Sequence, residues 1–206
     1  MRRYRPSASC ARPSRSAGRR CARALRALQA QGLAIAGGPT APLRVVEVSA
    51  LSTDPLRDTL VHLHRLGRVP LTDLVGLRRA LESAGAREAA RRKPAPDLTA
   101  AREQIAAMRA AGTDIRAFDE ADVRFHLEIL RASGNEALSL VMLAVRDSIA
   151  SHLHELLSAL EDPSHTLRRL IREHEAIVEA IAARDEDASA RLSDEHIARF
   201  YRRAMP

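Results

Sequence analysis

The chain has 206 residues, which is enough for one full domain and a small second one. Apolar residues make up 46% of it and aromatic residues 2%, with no tryptophan, so the core must be built from leucine, isoleucine, valine and alanine, a composition that favours helices. No stretch approaches the roughly 18 uncharged apolar residues that a membrane-spanning helix needs, and we expect no contact with a membrane.

The formal net charge of +7 is concentrated at the N-terminus. Residues 1–23 contain eight arginines and no acidic residue, which leaves 25 basic and 26 acidic side chains in the remainder. Any affinity for polyanions is therefore expected in residues 1–23. Both cysteines, Cys10 and Cys21, lie in the same segment and cannot form a disulfide framework, so we expect a reduced, cytoplasmic protein.

The first fifty residues are predicted to contain a basic tail and a small structured segment. Residues 1–23 mix proline, glycine, serine and arginine without a helical period, and we predict that they are disordered. In residues 24–50, Leu25 and Leu28 at helical spacing indicate a short helix, and two strands follow about the glycine-rich turn 37–40. A short helix followed by two strands resembles the back half of a winged helix.

Residues 54–206 are predicted to form an antiparallel all-α bundle with short connections. Asp54 is an N-cap, Gly67 and Gly112 are stop signals, and Gly134 is a left-handed C-cap. The seven predicted helices span about 54–66, 72–93, 97–111, 117–133, 136–160, 164–183 and 186–204.

Two pairs of polar residues in this bundle suggest a metal site. His174 and His196 are 22 residues apart, with the turn signal 184–187 midway between them. Two arms of about 15 Å each therefore place the two imidazoles level across a helical hairpin. Asp122 and His126 are spaced i, i+4, so one helix face presents both. We predict that three imidazoles and one carboxylate converge from three helices.

The four candidate ligands also lie on apolar helix faces, where unpaired polar groups would cost on the order of several kcal/mol. One interpretation is that each histidine is an ordinary hydrogen-bonded core residue. The joint pattern of an i, i+4 pair and a symmetric hairpin favours the other interpretation, coordination of a divalent cation. Three histidines and one aspartate suit Zn²⁺, Ni²⁺ or Mn²⁺, and we expect Zn²⁺ first.

Four segments carry a resemblance to a known family. They are GLRRALESAGAREAA (76–90), ADVRFHLEILRASGN (121–135), EHEAIVEAIAARDEDAS (173–189) and EHIARFY (195–201). With these segments, residues 54–206 resemble the FCD domain, the all-helical, ligand-binding C-terminal domain of FadR-type regulators in the GntR family. The resemblance implies that Asp122, His126, His174 and His196 hold a divalent metal in the centre of the bundle.

The resemblance also implies binding partners and a function. A small carboxylate effector is expected beside the metal, in a cavity lined by Arg78, for which the alternative interpretation is a surface salt bridge with Glu82. The protein is then expected to be a homodimeric transcriptional regulator that binds an operator in DNA and is not an enzyme.

The N-terminal part of the resemblance is incomplete. Residues 24–49 look like the end of the family's recognition helix and its β-wing, but RSAGRRCAR (15–23) does not match the run that opens that helix. Two interpretations of residues 1–23 stay open. Either this segment results from reading the gene in the wrong frame, or it is a genuine, disordered basic arm. Because base contacts come from the start of a recognition helix, we expect sequence-specific DNA binding to be impaired. Arg23 and Arg26 are the candidate DNA contacts.

Two other function classes stay open at the level of sequence. A metal-dependent hydrolase is one, because the proposed ligands leave coordination positions open. The chain offers it no obvious general base, since Glu173 and Glu195 each precede a ligand and are predicted to point away from the ligand face. A stand-alone helical ligand-binding module without DNA binding is the other.

Overall fold

A computed structural model of the chain describes residues 15–30, 34–36, 43–45, 54–159 and 161–202. The predictions for residues 1–14 fall outside the described residues. The chain divides into two compact units, Met1–Ser52 and Thr53–Pro206. Within the described ranges, none of the helices combines the length and apolar character required to cross a lipid bilayer.

The first unit contains one helix and two short strands. Helix α1 spans Arg15–Ala30, and strands β1 (Ala34–Ala36) and β2 (Leu43–Val45) pair antiparallel. Residues 15–23, which we predicted to be disordered, are therefore helical, and α1 crosses the predicted boundary at residue 23. The physical reason is that alanine and arginine favour helix and that no proline interrupts residues 15–30, so the helix extends towards the N-terminus.

The second unit consists of seven helices in its described residues, which confirms the all-α prediction. They are α2 (Asp54–Arg65), α3 (Leu71–Arg91), α4 (Thr99–Ala111), α5 (Ile115–Ser133), α6 (Glu136–Ser158), α7 (Ser164–Ala182) and α8 (Glu186–Tyr201). Gly134 ends α5 in the left-handed conformation, with φ of 76°, as its position predicted. Aspartates cap the starts of α5 and α8, where the Asp114 and Asp185 side chains accept backbone N–H groups.

Helix α3 is the element that contacts most of the others, packing against α5, α6, α7 and α8. Ion pairs join α3 to the antiparallel α8 along its length, with N–O distances of 2.6–2.9 Å: Arg79–Asp194, Arg87–Asp187 and Arg91–Glu186. The main core lies between the helices and is built from side chains that include Met108, Phe118, Phe125, Leu157, Leu167, Leu170 and Ile177.

Helices α3 and α5 approach closely at Gly85. A Cβ atom at this position would lie 2.3 Å from Cδ2 of Leu130, so the glycine leaves room for the leucine side chain. The close approach brings the face of α3 that carries Arg78 and Glu82 against the face of α5 that carries Asp122 and His126.

Candidate metal centre

The structure brings the four sequence-predicted side chains together in the middle of the helical unit. One ligand atom from each of Asp122, His126, His174 and His196 lies within 4.8 Å of the others. All four residues are buried, with exposed fractions of 0–4%. Helix α5 supplies Asp122 and His126, α7 supplies His174, and α8 supplies His196.

The α7–α8 hairpin positions the two level histidines. Arg184 takes a left-handed conformation, with φ of 63°, at the turn between the helices, and Asp185 then caps α8. The two arms place Nε2 of His174 3.0 Å from Nε2 of His196. This pair of facing nitrogens is the arrangement that the equal spacing of both residues from the turn predicted.

The ring nitrogens that face the cluster lack a full set of partners. Nε2 of His174 lies 3.3 Å from Oδ1 of Asp122, whereas Nε2 of His126 is 3.7 Å from Oδ2 of the same carboxylate. Nε2 of His126 is buried and has no hydrogen bond to any residue in the described part of the chain. An unpartnered, buried imidazole nitrogen beside a carboxylate fits a site that a cation completes.

Two glutamates, one buried and one half-buried, fix the orientation of two of these rings. Glu82 of α3 contacts Nδ1 of His126, and Oε2 of Glu173 lies 2.8 Å from Nδ1 of His196. An Nδ1–H that donates to a carboxylate leaves the lone pair on Nε2, and Nε2 then points into the cluster as a ligand atom. The donor set and its outer carboxylates therefore fit a divalent metal ion.

Burial keeps the clustered imidazoles ready to coordinate. Burial lowers the pKa of His174 well below its ordinary value, and the neighbouring imidazoles of His196 and His126 lower it further. Burial also lowers the pKa of His196, and this effect outweighs the hydrogen bond to Glu173 that raises it. Both rings are therefore neutral near pH 7, the form in which histidine binds a metal.

A buried ion pair flanks the cluster on the α3 side. Nε of Arg78 donates to Oε1 of Glu82 at 2.6 Å, and its Nη1 lies 3.4 Å from the Tyr201 hydroxyl. Burial opposes both charges, but their mutual attraction prevails. It raises the pKa of Arg78 and, with His126, lowers the pKa of Glu82 to about 2. The salt bridge that we considered a surface contact is therefore buried.

Arg78, Asp122, His196 and Tyr201 line a small cavity beside the cluster. Its volume is about 10 Å³, which is room for roughly one water molecule. A carboxylate with several atoms does not fit this space unless the surrounding side chains move.

The outer carboxylates are the part of the site that the sequence did not reveal. Glu173 was predicted to point off the ligand face because it precedes His174, and its contact with a ligand candidate on the neighbouring helix was not foreseen: Nδ1 of His196 on α8 hydrogen-bonds to Oε2 of Glu173. Glu82 was considered only as a partner of Arg78. Its position one turn after Arg78 was the available signal, but its contact with His126 depends on the packing of α3 against α5.

The candidate DNA contacts lie apart from the cluster in sequence, on the described part of the first unit. Arg23 and Arg26 are both exposed on α1, three residues apart and thus on one face. Nε of Arg26 donates to the backbone oxygen of Ala22 at 3.3 Å.

Comparisons with known proteins give a consistent result. The FCD domain matches residues 73–199, a range that includes all four clustered residues. Over 127 residues the chain is 31% identical to the galactonate operon transcriptional repressor of Escherichia coli K12, covering 62% of this chain and 54% of that protein. The chain thus matches about half the length of this relative.

Two solved structures share the fold. GntR of Streptococcus agalactiae superposes with a TM-score of 0.64 at 22% identity, covering 93% of this chain and 82% of that one. McbR/YncC of E. coli superposes with a TM-score of 0.51 at 20% identity, covering 88% of this chain and 83% of that one.

Proposed function

Because the chain belongs to the FCD domain family, the ligand-binding domain of FadR-type regulators in the GntR family, we propose that it is a cytoplasmic, metabolite-responsive transcriptional regulator. Residues 54–206 form the homodimeric sensor, which binds a divalent metal and a small carboxylate effector. Residues 24–50 contribute part of a winged-helix DNA-binding domain. The observation that carries the proposal is the buried cluster of three imidazoles and one carboxylate.

In this proposal Asp122, His126, His174 and His196 hold the metal, with Zn²⁺ preferred and Ni²⁺ or Mn²⁺ as alternatives. The outer carboxylates support the assignment, because a ligating histidine usually donates its second N–H to such a partner. Glu82 and Glu173 occupy that place for two of the three rings. When bound, the metal supplies a Lewis-acidic centre whose open positions carboxylate oxygens can fill.

Arg78 is proposed to bind the carboxylate effector. Its guanidinium carries five N–H donors, of which Glu82 and Tyr201 engage only some, and it lines the cavity beside the cluster. Since the cavity now has room for about one water, an effector must displace part of its wall, which includes Phe200 and Tyr201 of α8. Effector binding is thus linked to a movement of α8. The effector would then interact differently with two conformations of the domain, as a sensor requires.

The DNA-binding role is proposed for the first unit. Helix α1 followed by the β1–β2 pair is proposed to correspond to the end of a recognition helix and its wing, and the exposed Arg23 and Arg26 are the proposed phosphate contacts. The likeness to S. agalactiae GntR over 93% of the chain, more than residues 53–206 contain, supports this correspondence.

A metal-dependent hydrolase is the weaker assignment. Membership of a regulator family argues for binding over catalysis, and the two carboxylates that contact the imidazole rings of the cluster, Glu82 and Glu173, are already engaged. Glu82 is held by Arg78 and His126, and Glu173 by His196 and Arg199, so neither is available as a general base.

A stand-alone sensor without DNA binding is the second candidate, because residues 15–23 depart from the family's pattern. A gel-shift titration at several salt concentrations separates the two. Specific binding that persists near physiological salt supports the regulator, whereas binding that vanishes there supports the stand-alone module.

The metal site is tested by elemental analysis and native mass spectrometry of the purified protein and of His174→Ala. We expect one metal ion per chain in the parent protein and loss of most of it in the variant. His165→Ala, which removes an exposed histidine from the same helix, should keep the ion. Because His174 is fully buried, circular dichroism must show that the variant folds, and Asp122→Asn serves as a second, gentler variant. Undiminished metal in folded His174→Ala and Asp122→Asn would disprove the site.

A further inference from the structure

A second cavity lies between α7 and α8, on the opposite side of His196 from the ligand cluster. Its volume is about 230 Å³. The lining contains Arg169, Arg172 and Arg199 together with Glu173 and Glu195, and the ring of His196 forms part of its wall. His196 thus separates two spaces: its Nε2 faces the ligand cluster, and its Nδ1 is bonded to Glu173, which lines the outer cleft.

The charges in this cleft do not cancel. Glu173 accepts hydrogen bonds from Arg199 at 2.7 Å and Arg169 at 3.4 Å in addition to His196. Glu195 pairs with Arg191 at 3.2 Å and Arg199 at 3.8 Å. The side chain of Arg172 has no hydrogen bond or ion pair to any other residue that the structure describes. Both carboxylates are therefore compensated, and one guanidinium remains without a counter-charge.

We propose that this cleft is a second ligand site, separate from the cavity beside Arg78, and that it binds a small dianion. A guanidinium presents paired N–H donors that match the oxygens of a carboxylate or a tetrahedral anion. Arg172 provides a guanidinium group that has no counter-charge in the cleft. Arg169 and Arg199 provide further N–H donors in the same cleft. The volume suits a molecule of a few carbon atoms, below the size of a typical drug-like ligand pocket.

Glu173 connects this site to the cluster. An anion that attracts Arg199 weakens the hold of that arginine on Glu173, and the carboxylate then accepts more strongly from Nδ1–H of His196. A stronger acceptor at Nδ1 makes Nε2 a better metal ligand. Anion binding and metal binding should therefore favour each other, a linkage that rests on the proposed metal site.

The site itself is tested on metal-free protein, so that its result does not depend on the metal. Sulfate and succinate are titrated at constant ionic strength while NMR follows the arginine side-chain and backbone N–H signals. We expect saturable chemical-shift changes at Arg172 and Arg199. Tighter binding of sulfate would indicate a tetrahedral anion as the ligand, and tighter binding of succinate would indicate a dicarboxylate. Arg172→Gln should weaken binding about tenfold, whereas Arg116→Gln, which removes an equal charge from an exposed position on α5, should change it less than about twofold.

Absence of saturable binding by either probe overturns the proposal, and so does equal weakening in Arg172→Gln and Arg116→Gln, which would indicate general charge attraction. The linkage is tested by measuring Ni²⁺ affinity against a competing chelator, with and without sulfate. We expect sulfate to tighten Ni²⁺ binding several-fold more in the parent protein than in Arg172→Gln; an equal effect in both refutes the linkage. Failure of Zn²⁺, Ni²⁺ and Mn²⁺ alike to bind would refute the proposed metal site and leave the anion measurement intact.

Discussion

The Nδ1 atoms of the clustered histidines differ in what they contact. Those of His126 and His196 have carboxylate partners, whereas Nδ1 of His174 is buried and has no hydrogen bond among the described residues. His174 is held instead by packing against the ring of Phe125, with ring centroids 4.4 Å apart. Two of the three imidazole rings are thus oriented by hydrogen bonds and the third by packing.

Replacing Glu173 by glutamine should weaken the metal site without removing a ligand. The neutral amide is a poorer acceptor for Nδ1–H of His196, so we expect metal affinity to fall about 10- to 100-fold. Glu195→Gln is the matched control, since Glu195 also precedes a ligand but pairs with Arg191 and Arg199 on the surface. Chelator competition measures both affinities, and equal values for the two variants would contradict the role of Glu173.

Asp119 should make stability depend on pH. Burial, together with the charge of Asp122, raises the pKa of Asp119 from 3.8 to about 6. The folded chain therefore holds this proton more tightly than the unfolded chain does. The resulting stability is present below about pH 4 and is lost as the pH rises through about 6.

Asp119→Asn should remove this loss. In metal-free protein we expect its free energy of unfolding to exceed that of the parent protein at pH 7.5 by on the order of 1 kcal/mol, a figure reduced for the partial solvent exposure of Asp119. At pH 4 the two should agree. Urea unfolding at both pH values is the measurement, and Glu120→Gln, at an exposed neighbouring position, should show no such difference. A constant offset at both pH values would refute the assignment to Asp119.

At the scale of elements, two glycines of α3 should respond oppositely to substitution. Gly85→Val places methyl groups against Leu130, and we expect it to destabilise the fold by about 1–3 kcal/mol. Gly76 has open space around its Cβ position, so Gly76→Ala should stabilise the same helix by about 0.5–1 kcal/mol. Chemical denaturation gives both values, and a loss of stability in Gly76→Ala would show that its surroundings are not open.

Element bounds were predictable where a residue has a local mechanism for ending a helix. Gly112 and Gly134 follow the last residues of α4 and α5, and both take a positive φ that glycine adopts without strain. Residues 15–23 were misjudged because serine and glycine suggested disorder, whereas the alanines and arginines between them continue α1. The local signal was the helix-favouring composition of residues 15–30 without a proline, and the prediction gave it too little weight.

At the scale of the whole molecule, some contacts of the site could be predicted from the sequence and others could not. Asp122 with His126, and His174 with His196, could be placed together from helical spacing and one turn, because each pair lies within one helix or one hairpin. Glu82 and Glu173 could not be assigned to His126 and His196, since those contacts depend on how separate helices pack. The size of the cavity beside Arg78 is likewise a property of the packed bundle and not of any segment.

The spread of the cluster over three helices has a consequence for the rates of folding and unfolding. His174 and His196 close a segment of 22 residues, whereas the contact of Arg78 with Tyr201 closes one of 123 residues, so the hairpin can form long before α3 meets α8. We expect a cation that needs α5, α7 and α8 in place to bind after the folding barrier is crossed. It would therefore leave the rate of refolding unchanged and lengthen the lifetime of the folded chain.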